Sequence, residues 1–200
     1  MAVSVINLNL IIFNECPKVL HFHEQGNDKQ QEVTIFICIF LFETMRKAQQ
    51  EIKDPKILEE ILSGAILCRV AMMDGDLPYI IPFNYGYSDG AFFIHSAPEG
   101  KKIDLLRQDG HVCFEVEDKM EINKGDQACD WSTRYRSVVG YGNVEILSDE
   151  ASKQQGLEVI MAQHGAPELI EFNQKNLDRM VILKLTITSM TGKQSSNWMT

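Results

Sequence analysis

The sequence contains no C-x-x-C pair, no G-x-G-x-x-G dinucleotide loop and no G-x-x-x-x-G-K-[ST] phosphate loop. A structural zinc site, a Rossmann dehydrogenase and a P-loop nucleotidase are therefore disfavoured. Cysteine is odd in number, with five residues at 16, 38, 68, 113 and 129, irregularly spaced. That argues against a disulfide framework and for a reducing, cytoplasmic setting. Glycine (13 residues) and proline (6 residues) are sparse, which excludes a collagen-like or low-complexity chain. Long apolar runs are missing too: the densest, Val33–Phe42, has ten residues, half of the roughly 20 that a membrane-spanning helix needs. Positive charge is in deficit, 19 Lys and Arg against 28 Asp and Glu for a net charge of −9. A surface of that sign repels nucleic acid and anionic lipid, so neither is an expected partner.

What remains is a globular composition, 44% hydrophobic and 24% charged over 200 residues, enough for one domain with an ample core. Residues 1–44 stand apart from the rest. Met1–Phe13 is apolar but lacks a basic leader and a small-x-small cleavage site, so a signal peptide is a poor description. The polar stretch His21–Glu32 has no helical or strand period, and the isolated pair His21 and His23 is too sparse for a metal site. Three readings stay open: a membrane- or partner-binding segment, an extra element packed on the domain, or an over-extended reading frame whose true start is Met45. The expected division is 1–44, an extension without chemistry, and 45–200, the functional domain.

From position 54 the punctuation is clear. Asp54-Pro55 supplies a helix N-cap and first-turn proline ahead of the stripe Ile57, Leu58, Ile61 and Leu62, with Gly64 to end it. Strand-like runs follow at Ala65–Met73, Pro78–Tyr85 and Ala91–Ala97, separated by Asp74-Gly75 and Asp89-Gly90, both hairpin signals. Three successive antiparallel strands are expected there. A short helix over Gly100–Gln108 precedes an alternating strand at His111–Glu117 and a long strand at Tyr135–Leu147. Gly140 and Gly142 in the latter call for a bulge or a close backbone approach. A helix over Glu150–Gln163 and a strand over Met180–Met190 complete the pattern. The sum is a mainly β chain with helices, a six-stranded closed antiparallel barrel.

Chemistry concentrates in Phe93-Ile94-His95-Ser96-Ala97-Pro98-Glu99-Gly100-Lys101-Lys102. A strand ends in imidazole and hydroxyl groups, a Pro/Gly loop follows, and two lysines open a helix whose N-terminal N–H groups and dipole favour an anion. Lys101 and Lys102 read either as a phosphate receptor or as ordinary solvated charges. His95 reads either as a catalytic group or as a hydrogen-bonded barrel histidine. Arg134-Tyr135-Arg136-Ser137 places guanidinium groups toward an anion or toward the abundant carboxylates. Trp131 is expected to be a packing anchor. Glu115, Glu117, Asp118 and Glu121 are expected to form a solvated face, and Cys68 and Cys113 to be small buried hydrophobes.

Taken together, Leu67-Cys68-Arg69-Val70, Gly75–Gly86, Phe93–Ala97, Gly100-Lys101-Lys102, Val112–Val116, Tyr135–Gly142 and Thr191-Gly192-Lys193 resemble the pyridoxamine 5′-phosphate oxidase-like split-barrel flavoproteins. The nearest branch is that of the 5-nitroimidazole antibiotic resistance proteins. The resemblance runs from Met45 to Lys193 and implies a six-stranded split barrel, a homodimer, and FMN bound in clefts between subunits. By the same resemblance, Lys101 and Lys102 would hold the FMN phosphate, and Ser96 would line the cleft. Pro82, Phe83 and Asn84 would run along the isoalloxazine and offer backbone hydrogen bonds. Ser137 and Arg136 would face the flavin from the other subunit, and His95 would meet the substrate. The C-terminal Arg-x-x-Pro of true pyridoxamine phosphate oxidases is absent, since the chain ends Ser195-Ser196-Asn197-Trp198-Met199-Thr200. The implied activity is FMN-dependent reduction of a nitroaromatic or related small electron acceptor. The alternative is a split barrel that holds flavin or haem without turnover.

Overall fold

The computed structural model describes residues 20–22, 33–35, 46–166 and 171–195, and the chain divides into two compact units, Met1–Met45 and Arg46–Thr200. In the first unit, β1 (Leu20–Phe22) and β2 (Val33–Ile35) pair antiparallel, with Leu20 opposite Ile35. The remainder of the Val33–Phe42 run, His23 and the final Ser196–Thr200 lie outside the described residues. No described helix is long and apolar enough to cross a membrane.

The second unit follows the sequence punctuation closely. It opens with the two-residue β3 (Glu51–Ile52) and α1 (Pro55–Gly64), where the Asp54 carboxylate accepts from the Lys56 backbone N–H at 2.9 Å. The β4 (Leu67–Asp74) and β5 (Leu77–Asn84) strands form a hairpin through Gly75, which sits at φ 61°. Next, β6 (Gly86–Ser88) and β7 (Ala91–Ser96) join through Asp89 and Gly90, both at positive φ as a tight two-residue hairpin demands. Then come α2 (Lys101–Gln108), β8 (His111–Asn123), β9 (Ser132–Leu147), α3 (Glu150–Gln163), α4 (Gln174–Leu177) and β10 (Val181–Gln194).

The strands form one antiparallel sheet in the order β5-β4-β8-β9-β10-β7-β6, with β3 paired to the end of β10. There are eight strands where six were expected. The six long ones carry the wall, and the short β3 and β6 are additions. A second departure explains the word split. The run Pro78–Tyr85 does not pair with β7 as a third consecutive strand would: β5 leaves to lie against β4, and only β6 pairs with β7. The two free ends of the sheet are thus β5 and β6, which are neighbours in the chain, joined by the single residue Tyr85. The barrel is closed covalently at that corner and left open in hydrogen bonding below it.

Tyr85 is fully buried, and so are the rings it meets: Phe92 at 4.6 Å between centroids, which in turn meets Phe114 edge-on at 4.9 Å. The Tyr85 hydroxyl donates to the Leu62 carbonyl at the end of α1 (2.7 Å), and burial pushes its pKa above the ordinary phenol value. Gln163 of α3 donates to the Leu62 and Ala65 carbonyls and accepts from the Tyr87 N–H at 2.6 Å. Two helices are thereby tied to the corner.

Val112, Phe114 and Val116 face the interior, as their alternation demands, with Cys68, Val70, Met72, Val138, Leu183 and Leu185. The other face of β7 and β10 (Ala91, Phe93, Ile182) is covered by Leu157 and Ile160 of α3 and Leu177 of α4. Gly140 allows close approach: a Cβ there would lie 2.5 Å from Phe114 Cζ and from the Ser189 carbonyl. The neighbouring register shift on β10 falls between Ile187 and Ser189. Trp131 is 52% exposed and does not anchor packing, because it lies beyond the barrel wall at the β8–β9 tip with Met120 and Ile122.

Replacing Tyr85 by Phe keeps the ring and removes one buried hydrogen bond, at a cost of about 1 kcal/mol. Tyr85→Ala also empties the corner, and a loss of about 3–5 kcal/mol is expected. Urea denaturation of the full chain checks both, and equal small losses would show that the corner does not hold the barrel.

Candidate functional site

An antiparallel barrel with a parted wall exposes backbone where a ligand can use it. Strand β5 pairs only with β4, so the outer edge of β5 has no ladder partner among the described residues. Pro78 and Pro82 are tolerated there because an edge strand need not donate from every residue. Across the gap, β7 loses its β6 partner after Phe93, and Ile94–Ser96 continue with β10 alone. The loop 97–100 then leads back to α2, and Lys101 at its start pairs with Asp74, beside the first turn of β5. From Tyr79, beneath Lys101, to Asn84 the free edge runs about 17 Å at ~3.3 Å per residue. This is an elongated slot with polar backbone along it and cations at one end.

The cationic end is built by α2. Gly100 is its N-cap at φ 109°, with no side chain to cap the helix. The first helical N–H groups consequently face outward without intrahelical acceptors. Arg107 reaches back to the Pro98 carbonyl at 3.3 Å and fixes the loop. The Lys101 ammonium lies 4.7 Å above the Tyr79 ring and is bonded to Asp74, whose carboxylate raises the Lys101 pKa. Lys102 is half-buried and has no carboxylate partner among the described residues. Asp74 and Tyr79 were missed in the sequence: Asp74-Gly75 reads as a turn, and nothing in one dimension shows that the turn lies against α2.

The other expected residues divide by the face they occupy. Pro82 and Asn84 are exposed on the outer face, while the Phe83 side chain is buried in the core and leaves only its backbone at the slot. Ser96 is 5% exposed, faces inward with Phe92 and Ile94, and donates to the Ala97 carbonyl at 3.0 Å. His95 is exposed on the opposite face of β7, and its imidazole has no hydrogen-bond partner among the described residues. Ser137 is on the outer face but three strands away. Register runs Asn84–Leu67 and Glu117–Ser137 across β5, β4, β8 and β9, about 14 Å at ~4.8 Å per strand. The structure does not bring Ser137 to the slot of its own chain.

Arg136 points the other way. It is 6% exposed, inside the barrel, and its guanidinium is bonded to Asp118 and to Glu60 of α1. Burial opposes its charge, but these carboxylates outweigh burial and keep its pKa above the ordinary value. Arg136 and Lys119 in turn hold the Glu60 carboxyl below its usual range. The expected solvated acidic face is more engaged than its sequence suggests. Asp118 is half-buried against Arg136, and Glu115 and Glu117, still partly exposed, both bind Arg69, at 2.8 and 2.9 Å. Arg134 takes Glu121 at 3.8 Å. Cys68 is fully buried, its thiol pKa pushed up to about 12 by desolvation, whereas Cys113 is half-buried.

The outer face that α3 leaves bare is mixed, with apolar side chains around the Arg69–Glu115–Glu117 ion cluster. Leu67, Met73, Ile80, Val139 and Tyr141 are all exposed on it. Register places Ile80, Ala71, Cys113 and Tyr141 in one row over four strands. A groove of about 350 Å³ crosses this face between Met73, Pro78, Cys113 and Tyr141.

Comparison with known proteins gives this architecture a place. The family model described as pyridoxamine 5′-phosphate oxidase matches residues 54–194. No curated protein matches the chain. Among solved structures, a protein from Bacteroides thetaiotaomicron assigned to 5-nitroimidazole antibiotic resistance is 29% identical, with a TM-score of 0.64, over 72% of this chain and 86% of that one. The FAD and heme binding protein from Mycobacterium smegmatis (20% identity, TM-score 0.65, 74% of each chain) has the same fold. So does the flavocytochrome Anf3 from Azotobacter vinelandii (21%, 0.66, 76% and 72%). The match spans the parted barrel from α1 to the end of β10, and the chain belongs to the pyridoxamine 5′-phosphate oxidase family.

Proposed function

We propose that this protein binds FMN along the free edge of β5 and uses it to reduce a small electron acceptor of the nitroaromatic class. The observation that carries this reading is the slot itself: an unpaired strand edge about 17 Å long, with Lys101, Lys102 and the open N-terminus of α2 at one end. A flat, hydrogen-bonding ring fits the Pro82–Asn84 edge, and a phosphate fits the lysines. The bound flavin would supply electron transfer. The chain's own residues would anchor the phosphate, exclude water beside Ser96, and hold the ring against backbone donors and acceptors. Similarity to the Bacteroides protein supports nitroimidazole-like acceptors. His95, exposed and free of internal hydrogen bonds, is the group we assign to the acceptor, as hydrogen-bond or proton donor.

The reading includes a homodimer. Ser137 lies about 14 Å from the slot of its own chain, so it can serve only the slot of a second copy. The bare face over β4, β5, β8 and β9, apolar along the row Ile80, Ala71, Cys113 and Tyr141, is the surface that such a copy would cover. A second reading, a barrel that holds flavin or haem without turnover, draws on the same unengaged imidazole, since His95 would equally suit an axial haem ligand.

Three measurements test these assignments. Flavin titration followed by absorbance should give one flavin per chain. Lys101→Ala/Lys102→Ala should weaken binding at least about 10-fold, and Asp74→Asn should tighten it because Lys101 is released to the phosphate. Unchanged affinity in both variants would move the phosphate elsewhere, and a Soret band in place of flavin bands would favour haem. His95→Ala should retain flavin and lose about 10- to 100-fold in nitroimidazole reduction, and full activity would remove His95 from the scheme. Sedimentation should give a dimer that Tyr141→Lys converts to a monomer, since a charge on that face must be desolvated on pairing. A wild-type monomer would defeat the shared-site reading.

A further inference from the structure

The opposite end of the barrel from α2 carries a second polar cavity, of about 430 Å³, which the flavin reading does not use. Among the described residues its lining contains no carboxylate and no aliphatic side chain. Lys47 and Lys193 supply two cations, Ser132, Thr133, Tyr135 and Ser195 supply four hydroxyls, and the two other side chains are amides. In a chain of net charge −9, such a composition is against the statistical grain.

The hydrogen bonds inside the cavity use two of its hydroxyls as acceptors only. Ser195 is 8% exposed, and its Oγ already accepts from the Tyr135 backbone N–H at 3.2 Å, so its hydroxyl proton is available to a ligand. Ser132 Oγ accepts from Asn123 Nδ2 at 3.4 Å and stands in the same condition. Neither Lys47 nor Lys193 has a carboxylate partner among the described residues. The acid opposite Lys193 in the register, Glu51, is paired with Lys53 at 3.8 Å. Lys193 rests instead 5.9 Å from the centre of the Tyr135 ring, which positions the ammonium without neutralising it. The size falls within the range of small-molecule sites.

We propose that this cavity binds a phosphorylated, hydroxyl-bearing small molecule, with Lys47 and Lys193 on the phosphate and the Ser132 and Ser195 hydroxyls donating to its oxygens. The site is separate from the Lys101 end of the slot and does not depend on the flavin assignment. The probe is adenosine 5′-monophosphate, titrated calorimetrically into the full chain with and without saturating FMN, with adenosine and inorganic phosphate in parallel. Saturable binding of the monophosphate is expected in both states, weaker for phosphate, absent for adenosine, and falling with salt. Lys47→Ala/Lys193→Ala should weaken it about 10-fold, Lys193→Arg should retain it, and Lys101→Ala/Lys102→Ala should leave it unchanged. Three results would overturn the proposal. They are no saturable binding, adenosine binding as tightly as its monophosphate, and loss of flavin in the Lys47/Lys193 variant, which would assign these lysines to the flavin cleft.

Discussion

Everything distinctive about this barrel depends on one buried tyrosine. Tyr85 is the only residue between β5 and β6, and those strands are the two ends of the sheet. An antiparallel barrel removes its edges by pairing first strand with last. Here the chain turns the corner instead, from a ladder with β4 to a ladder with β7. The turn is held by a ring stacked into Phe92 and a hydroxyl bonded to the end of α1. Without that clamp, the unpaired edges below the corner would have every reason to close on one another or to pair with another chain.

The split therefore exposes backbone polar groups in a wall whose two sides are pinned apart. That leaves a row of donors and acceptors already oriented, the surface along which the proposed flavin would lie. The helices divide the remaining labour. Packing of α3 on the outer face of β7 and β10 leaves the outer face of β4, β5, β8 and β9 bare. Gly86 makes the arrangement possible, since a Cβ there would sit 2.5 Å from the Val159 and Ile160 backbone. One half of the barrel is covered by its own chain, and the remainder is the surface that the proposed second copy would cover. The proposed flavin slot and association face would then share strand β5.

Much of this was legible in one dimension because it rests on local signals. Asp54-Pro55 capped α1, the Asp-Gly pairs marked both hairpins, Val112–Val116 alternated as a half-buried strand must, and Glu150–Gln163 is α3 to the residue. The failures share a different cause. Pro78–Tyr85 reads as the middle of three successive strands, but it pairs only with β4 and the separate β6 pairs with β7, a change of partner that tertiary packing around Tyr85 imposes. Arg136 pairs with carboxylates, one of its two sequence readings, but its burial was not legible: β9 places it on the inner face, bonded to the half-buried Asp118 of β8 and to Glu60, which is 76 residues away. Trp131 reads as an anchor by its size alone, though it falls on a hairpin tip beyond the wall. The slot could be foreseen at its lysine end, where residue type carries the signal. At the β5 edge the chemistry belongs to the backbone, which no side chain announces.

The charge pattern gives the same lesson at the scale of the whole domain. A lysine without a carboxylate partner is commonplace on a protein surface and signifies little by itself. In a chain with nine more acids than bases, most guanidinium groups of the barrel are claimed: Arg69 by two glutamates, Arg134 by Glu121, and Arg136 by Asp118 and Glu60. Among the described residues, two places combine lysines with donors that are not claimed in this way. At the start of α2 the donors are helix N–H groups, and Asp74 claims one lysine of the pair. At the far end the donors are hydroxyls, two of which already accept a bond from the protein, and no acid among the described residues lines the cavity. Excess negative charge elsewhere sharpens both, because an anion repelled by the general surface gains most where the field locally reverses. Asp74 then has a role that a neutral residue could not supply. It holds Lys101 over Tyr79 and competes for that ammonium, so an anion arriving at this end of the slot must displace it.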